Sequence, residues 1–318
     1  MQQLKDKLNG FASRYLYETC LGISGGGCKA IYALGVGFRI RSWGVRIKEI
    51  SGVSAGSAMA FSILSETEEE VIEYMMALTR RNESNINVSN LLKGERLFPH
   101  ENIYRRAVRY GLNLDKIRQS ETKIHILSVK AVPYKGKFPL FNKAKLISET
   151  AQAYLKDDAD REKGIAGTRV ESIMKKWNMK EVIFTNKDLE NPAVIEQIIM
   201  NSSTIPPVVS FKGDDRIYYL DGGLTNNLLL ECFPRNSKII GVHYDDTTIF
   251  GKDPDILKQC YLIRPSGNIP VKKFDYTDPV GIKEAFEMGK EDAERQKDKI
   301  LDYCKRRFSI EEIKNSIT

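Results

Sequence analysis

Glu49-Ile50-Ser51-Gly52-Val53-Ser54-Ala55-Gly56-Ser57-Ala58 carries an apolar run into a stretch of small residues through a serine flanked by glycines. Val45 to Ser51 reads as a strand, Gly52 to Gly56 as a tight turn and Ser57 to Leu64 as a helix of small residues. A G-x-S-x-G has chemical meaning in that setting. The turn strains the serine's backbone and crowds the positions two before and two after it, so Gly52 and Gly56 support the elbow. The hydroxyl of Ser54 then projects from the sheet at a helix N-terminus, whose dipole favours the negative charge that develops there. The plain alternative is a strand-to-helix turn with a bystander serine.

Outward from this unit the pattern repeats. Thr19 to Ser24 is an apolar strand that ends in Gly25-Gly26-Gly27 and leads into a helix from Lys29 to Ile40. Two strand–turn–helix units in a row argue for parallel pairing through right-handed crossovers. Further strands are expected at Lys123–Val132, Glu181–Thr185, Ile217–Leu220 and Lys238–Tyr244, and covering helices between Glu66 and Ser120, around Ser148–Leu155, at Val170–Trp177 and from Pro192 to about Met200. Ile205-Pro206-Pro207 enforces an extended exit from the last of these. A long polar-faced helix is expected from Val280 to Arg307. No repeat, low-complexity stretch or linker interrupts the series, so the economical reading is one α/β domain over residues 1–318, with a C-terminal helical segment at about 280–307.

Composition excludes several classes. Hydrophobic residues at 42% and charged residues at 29% are those of a globular chain rather than a disordered, fibrous or membrane-embedded one. The net charge of +7 favours anionic partners, but acidic residues are interspersed with basic ones and no nucleic-acid-binding signature is present, so no nucleic-acid partner is expected. Five scattered cysteines without C-x-x-C spacing argue against disulfides and structural zinc, and suit a reducing, cytoplasmic setting. Met1 to Glu18 lacks the continuous apolar run of a classical signal peptide, and no run of 18 apolar residues occurs, so any membrane contact is expected to be peripheral.

An acyl hydrolase needs three things: a nucleophile, a base and donors for the oxyanion. Ser54 is the candidate nucleophile. Gly25, Gly26 and Gly27 can present unobstructed N–H groups as an oxyanion hole, although a glycine run alone is weak and a phosphate-cradling loop also uses glycines. For the base, Asp221 falls where the strand Ile217–Leu220 should end, beside Gly222-Gly223, at a sheet edge where ligand sites collect; an Asp capping a turn is the bland reading. Of the three histidines, His243 follows Asp221, so Ser54, Asp221, His243 formally reproduces the chain order of an α/β-hydrolase triad. It lies, however, within an apolar strand where a packed histidine is the commoner outcome, as does His125, and His100 follows Pro99 in a loop.

Taken together these residues resemble the patatin-like phospholipase family. Gly25-Gly26-Gly27-Cys28-Lys29 resembles its glycine-rich loop with a following basic residue, Gly52-Val53-Ser54-Ala55-Gly56 its nucleophile elbow, and Asp221-Gly222-Gly223 its dyad aspartate. Asn201 to Pro207 and Leu224 to Asn227 resemble the segments on either side of that aspartate, and the likeness runs from about Thr19 to Tyr244. One position departs: Ala30 stands where the family usually has glycine.

The resemblance implies a three-layer patatin-like fold, with a mostly parallel central sheet and helices on both faces. It implies a lipid acyl hydrolase of phospholipase A or lysophospholipase type, with catalytic Ser54 and Asp221, no histidine in the dyad, and no metal or cofactor. Its substrate is a phospholipid or other lipid ester, met through peripheral membrane contact. The alternatives are a latent or inactive lipid-binding effector that needs an activator, and a Ser-His-Asp esterase using His243. Tyr134 to Lys143, mixing aromatic rings and lysines, is a candidate membrane-facing lid or an ordinary hairpin. The aspartate must also be buried, since an exposed one with pKa about 3.9 is a poor base at neutral pH.

Overall fold

In a computed structural model, the structure describes residues 16–87, 98–131, 139–161, 165, 167–205, 217–244 and 253–305. The first two strands, β1 (Glu18–Ile23) and β2 (Arg46–Val53), are parallel neighbours joined by a short 3-10 turn (Gly27–Ala30) and helix α1 (Ile31–Ser42). Helices α2 (Ala55–Ser65) and α3 (Glu68–Arg80) follow, then α4 (His100–Gly111), α5 (Leu114–Gln119) and strand β3 (Lys123–Ala131). Next come α6 (Pro139–Arg161), α7 (Arg169–Lys176), β4 (Lys180–Thr185), α8 (Pro192–Ser202), β5 (Tyr218–Asp221) and β6 (Ile239–Val242). The described chain closes with α9 (Pro254–Gln259), β7 (Tyr261–Ile263), α10 (Pro279–Arg295) and α11 (Lys297–Cys304).

The sheet runs β4-β3-β2-β1-β6-β7, with β5 also paired to β3. The pairs β1–β2, β1–β6, β2–β3 and β6–β7 are parallel, while β4 and β5 run antiparallel to β3. Strand residues alternate between two apolar layers, as a sheet covered on both faces requires. Leu21, Ile23, Ile124, Ile126, Ile240 and Val242 pack into the larger core with α1, α2, α8 and α10. On the opposite face Cys20 and Ile239 meet Leu228, Leu230 and Ile256, and Val129 and Ala131 meet Leu146 of α6 and Trp177 beside α7. The fold is therefore mixed α/β with a mostly parallel sheet between helices.

Two expectations are corrected and one strand is added. The C-terminal helix is two, α10 and α11, divided at Gln296, whose N–H bonds back to Ala293 O instead of continuing the helix; residues 306–307 lie outside the described residues. Strand β7 was not expected, since Tyr261-Leu262-Ile263 is too short to show a period. His243 lies just past the end of β6 rather than inside the strand, its N–H donated to Ile263 O at 3.1 Å.

Candidate active site

The register of β3 brings Ser54 and Asp221 together. A strand has two edges, and β4 occupies one of them along Val182↔Ser128 and Ile183↔Leu127. The other edge is shared end to end. β2 climbs it as far as Val53↔Leu127, and β5 descends it to Asp221↔Ser128. The C-terminal ends of two opposed strands thus stop at adjacent positions of β3, and the next residue of one and the last of the other are Ser54 and Asp221.

Ser54 has φ 54° and ψ −131°, a backbone conformation that non-glycine residues rarely adopt. The surroundings hold it there. A Cβ at position 52 would stand 2.6 Å from Ser57 Cα, and one at position 56 would stand 2.5 Å from Ser24 O, so both flanking glycines are required by close approach of backbone. The Ser54 N–H donates to Ser202 Oγ at 3.0 Å, and Ser202 Oγ in turn donates to Leu127 O at 2.6 Å. Ser202, at the end of α8, therefore ties the elbow to β3. The sequence showed it only as part of a helix exit, and nothing in its type or spacing marked this role.

Asp221 is 4% exposed. Its Oδ1 accepts the Gly223 N–H at 2.7 Å, and its own N–H is donated to Thr204 O at 3.0 Å. The other oxygen, Oδ2, has no aligned donor among the described residues. Burial pushes the carboxyl from 3.8 up to about 6, opposed by the adjacent Ser54 hydroxyl, the Gly223 N–H and, least, the charge of Lys273. The hydroxyl thus stands beside the carboxyl without forming a well-aligned bond in the resting state. A buried, half-satisfied carboxylate next to a strained serine hydroxyl is equipped to accept a proton.

The glycine loop follows β1. Gly25 is not an open donor as expected, because its N–H is given to Asn227 O at 3.2 Å. What it supplies is room: a Cβ there would stand 2.9 Å from Ser54 Cβ. Gly26 and Gly27 give their N–H groups to no acceptor among the described residues, and Gly27 has φ 56°, with no space for a side chain against the Lys273 carbonyl. Ala30 is buried with φ −62° and ψ −17°, ordinary helical values, so the methyl group in place of the family's glycine carries no backbone penalty.

Ser54, Gly25, Gly26 and Asp221 line a cavity of about 240 Å³. Its far wall is one face of α6, where Ile147, Thr150, Ala151, Tyr154 and Leu155 recur at helical spacing, and Ile205, Leu220, Leu224 and Phe274 complete an apolar lining. The helical spacing was present in the sequence, but without a partner it could not be told from an ordinary core face. Residues 134–138 of the expected lid lie outside the described residues, while Phe141 on α6 is 67% exposed.

None of the three histidines lines this cavity. His125 Nε2 bonds Glu49 Oε2 at 2.9 Å, and His100 Nε2 bonds Phe274 O at 2.9 Å. Among the described residues no group of three or more His, Cys, Asp or Glu side chains could hold a metal ion, and no helix is long and apolar enough to cross a membrane.

No curated protein sequence matches the chain. Among solved structures, VipD from Legionella pneumophila is similar at a TM-score of 0.42 and 14% identity, over 93% of this chain and 68% of that one. The family model for patatin-like phospholipases matches residues 21–233, which contain the glycine loop, the elbow and the Asp221 turn. The chain belongs to the patatin-like phospholipase family.

Proposed function

We propose that this protein hydrolyses lipid carboxylic esters through a Ser54–Asp221 dyad and an acyl-enzyme intermediate. The observation that carries the reading is the meeting of β2 and β5 on one edge of β3, which sets a strained serine beside a buried carboxylate on the floor of an apolar cavity. Asp221 Oδ2 takes the proton from Ser54 Oγ as that oxygen attacks the ester carbonyl, and the N–H groups of Gly26 and Gly27 stabilise the oxyanion. Collapse of the tetrahedral intermediate releases the alcohol, which leaves with the proton held by Asp221, and acylates Ser54. Water then attacks the acyl group, giving its proton to Asp221, and the fatty acid departs as Ser54 recovers its hydrogen.

Support for a dyad rather than a triad comes from the cavity, which no described histidine lines. Lipid as substrate is supported by the family and by the apolar wall that α6 gives the cavity. Peripheral adsorption is supported by exposed Phe141 on the same helix. The chain is read as one catalytic domain, since the site draws on β1, β2, β5, α6 and the segment after β7.

The reading is tested by hydrolysis of a short-chain aryl ester and of mixed phospholipid vesicles, without added metal, by wild type and by Ser54→Ala, Asp221→Asn and His243→Ala. Loss of turnover in the first two with retention in the third is expected. Turnover that survives Ser54→Ala would overturn the reading, and loss of several orders of magnitude in His243→Ala would replace the dyad with a triad.

A further inference from the structure

We infer that the Asn227 carboxamide completes the oxyanion hole as its third donor, an inference that rests on the hydrolase reading above. The glycine loop leaves a place for one. Gly25, the first of the three, has its N–H taken up by Asn227 O at 3.2 Å, so the main chain of the loop offers two donors, those of Gly26 and Gly27. The residue that takes the first N–H away stands over it with a side chain able to replace it. A Cβ on Gly25 would lie 2.8 Å from Asn227 Oδ1 and 2.9 Å from Ser54 Cβ, so the carboxamide and the serine meet across one bare glycine. Asn227 lines the cavity together with Ser54, Gly26 and Asp221.

The two asparagines after the Asp221 turn have different surroundings. Asn226 is 1% exposed, its Nδ2 donates to Glu231 Oε2 at 2.9 Å and its Oδ1 accepts the Leu228 N–H at 3.1 Å, so both ends are committed to the loop. The Asn227 side chain, half-buried at the cavity, takes up no hydrogen bond at either end among the described residues. Its backbone is held by the bond from Gly25 and by the anchored Asn226 before it, which leaves the side chain as the part able to move. A turn about its last bond exchanges C=O for NH2 on the side toward Ser54 and breaks no existing hydrogen bond. A developing negative charge selects the NH2 end. Side-chain amides suit this role in acyl transfer because the donor is in place before the charge forms. The NH2 group donates a hydrogen bond and keeps both its protons, and Asp221 remains the base.

The experiment measures hydrolysis of a short-chain aryl ester, and binding of a matched pair of ketones, by wild type, Asn227→Leu and Asn227→Ala. An alkyl trifluoromethyl ketone accepts Ser54 Oγ at its carbonyl carbon, the serine proton passing to Asp221, and so places an oxyanion in the hole. The alkyl methyl ketone of the same length binds without adding. In both variants kcat and the affinity for the trifluoromethyl ketone should fall together by about a hundredfold, while KM and the affinity for the methyl ketone stay within about threefold of wild type. A kcat within about threefold of wild type would overturn the inference, as would a fall in kcat with the trifluoromethyl ketone's affinity retained. Equal loss of affinity for the two ketones would mark a structural role and refute it as well. The two readings fail separately. Turnover that needs Ser54 and Asp221 but not Asn227 removes this inference alone, whereas a wild type with neither turnover nor a Ser54 hemiketal, read by fluorine NMR, removes the hydrolase reading and this inference with it.

Discussion

At the residue scale the account turns on the ionisation of Asp221. Its folded pKa, about 6, is above the ordinary carboxylate value because burial penalises the charge. The proton-accepting form therefore dominates at neutral pH, and kcat/KM should fall about tenfold per pH unit below a limb near 6, as a pH–rate profile on a neutral ester would show. The sign for stability is the reverse of that for an ion-paired aspartate. Because the folded state holds this proton more tightly than the unfolded chain, the stabilising contribution is present below about pH 4 and is lost as pH rises through about 6. Asp221→Asn removes the buried charge, so it should abolish turnover while raising stability at pH 7 by on the order of 2–3 kcal/mol, measurable by urea denaturation. Ser202→Ala acts through position instead. It leaves the Ser54 N–H buried without its acceptor, so a loss of about 1–3 kcal/mol is expected, together with a fall in kcat larger than any change in KM. Ser54, Asp221 and the elbow glycines could be found in the sequence because each has a chemical signature at a strand end. Ser202 and Lys273 could not, since a serine at a helix exit and a lysine in a loop look the same whether or not they reach the site.

At the element scale, helices α1 and α10 meet backbone to backbone. A Cβ at Gly35 would stand 2.9 Å from Lys290 N and collide with Phe286 O, while Tyr32 Oη donates to Asp292 Oδ2 at 3.0 Å across the same contact. Gly35→Ala should therefore force the helices apart and destabilise by about 1–3 kcal/mol, seen as a lowered Tm, even though alanine favours helix in isolation. Helix α6 has the opposite character, with one face on the cavity and Phe141 exposed away from it. Replacing Phe141 with serine should weaken adsorption to vesicles and hydrolysis of vesicle lipid, while hydrolysis of a soluble aryl ester persists. Equal losses on both substrates would instead make α6 a structural wall. The first two strand–turn–helix units were legible because periodicity, glycines and small residues agree there. The antiparallel insertion of β5 was not, because four residues, Tyr218–Asp221, carry too short a pattern to reveal direction, and only pairing with β3 fixes it.

At the scale of the whole molecule, the mostly parallel sheet follows from sequence order, since strands separated by helices must cross over, and the two antiparallel members sit where β3 offers free edge. The net charge of +7 adds a long-range term, so adsorption to anionic vesicles should weaken as salt shortens the Debye length from about 10 Å at 0.1 M toward about 3 Å at 1 M. Hydrolysis of a soluble neutral ester is expected to carry no such dependence. The claim on which the rest depends is that Ser54 is a nucleophile made reactive by Asp221 without histidine. An activated aryl phosphonate, followed by peptide mass spectrometry of wild type, Asp221→Asn and His243→Ala, tests it without assuming a substrate. The expected result is a phosphonyl adduct on Ser54 in wild type and in His243→Ala, and its loss in Asp221→Asn; an adduct on another residue, or one that disappears with His243 and persists without Asp221, would contradict the account.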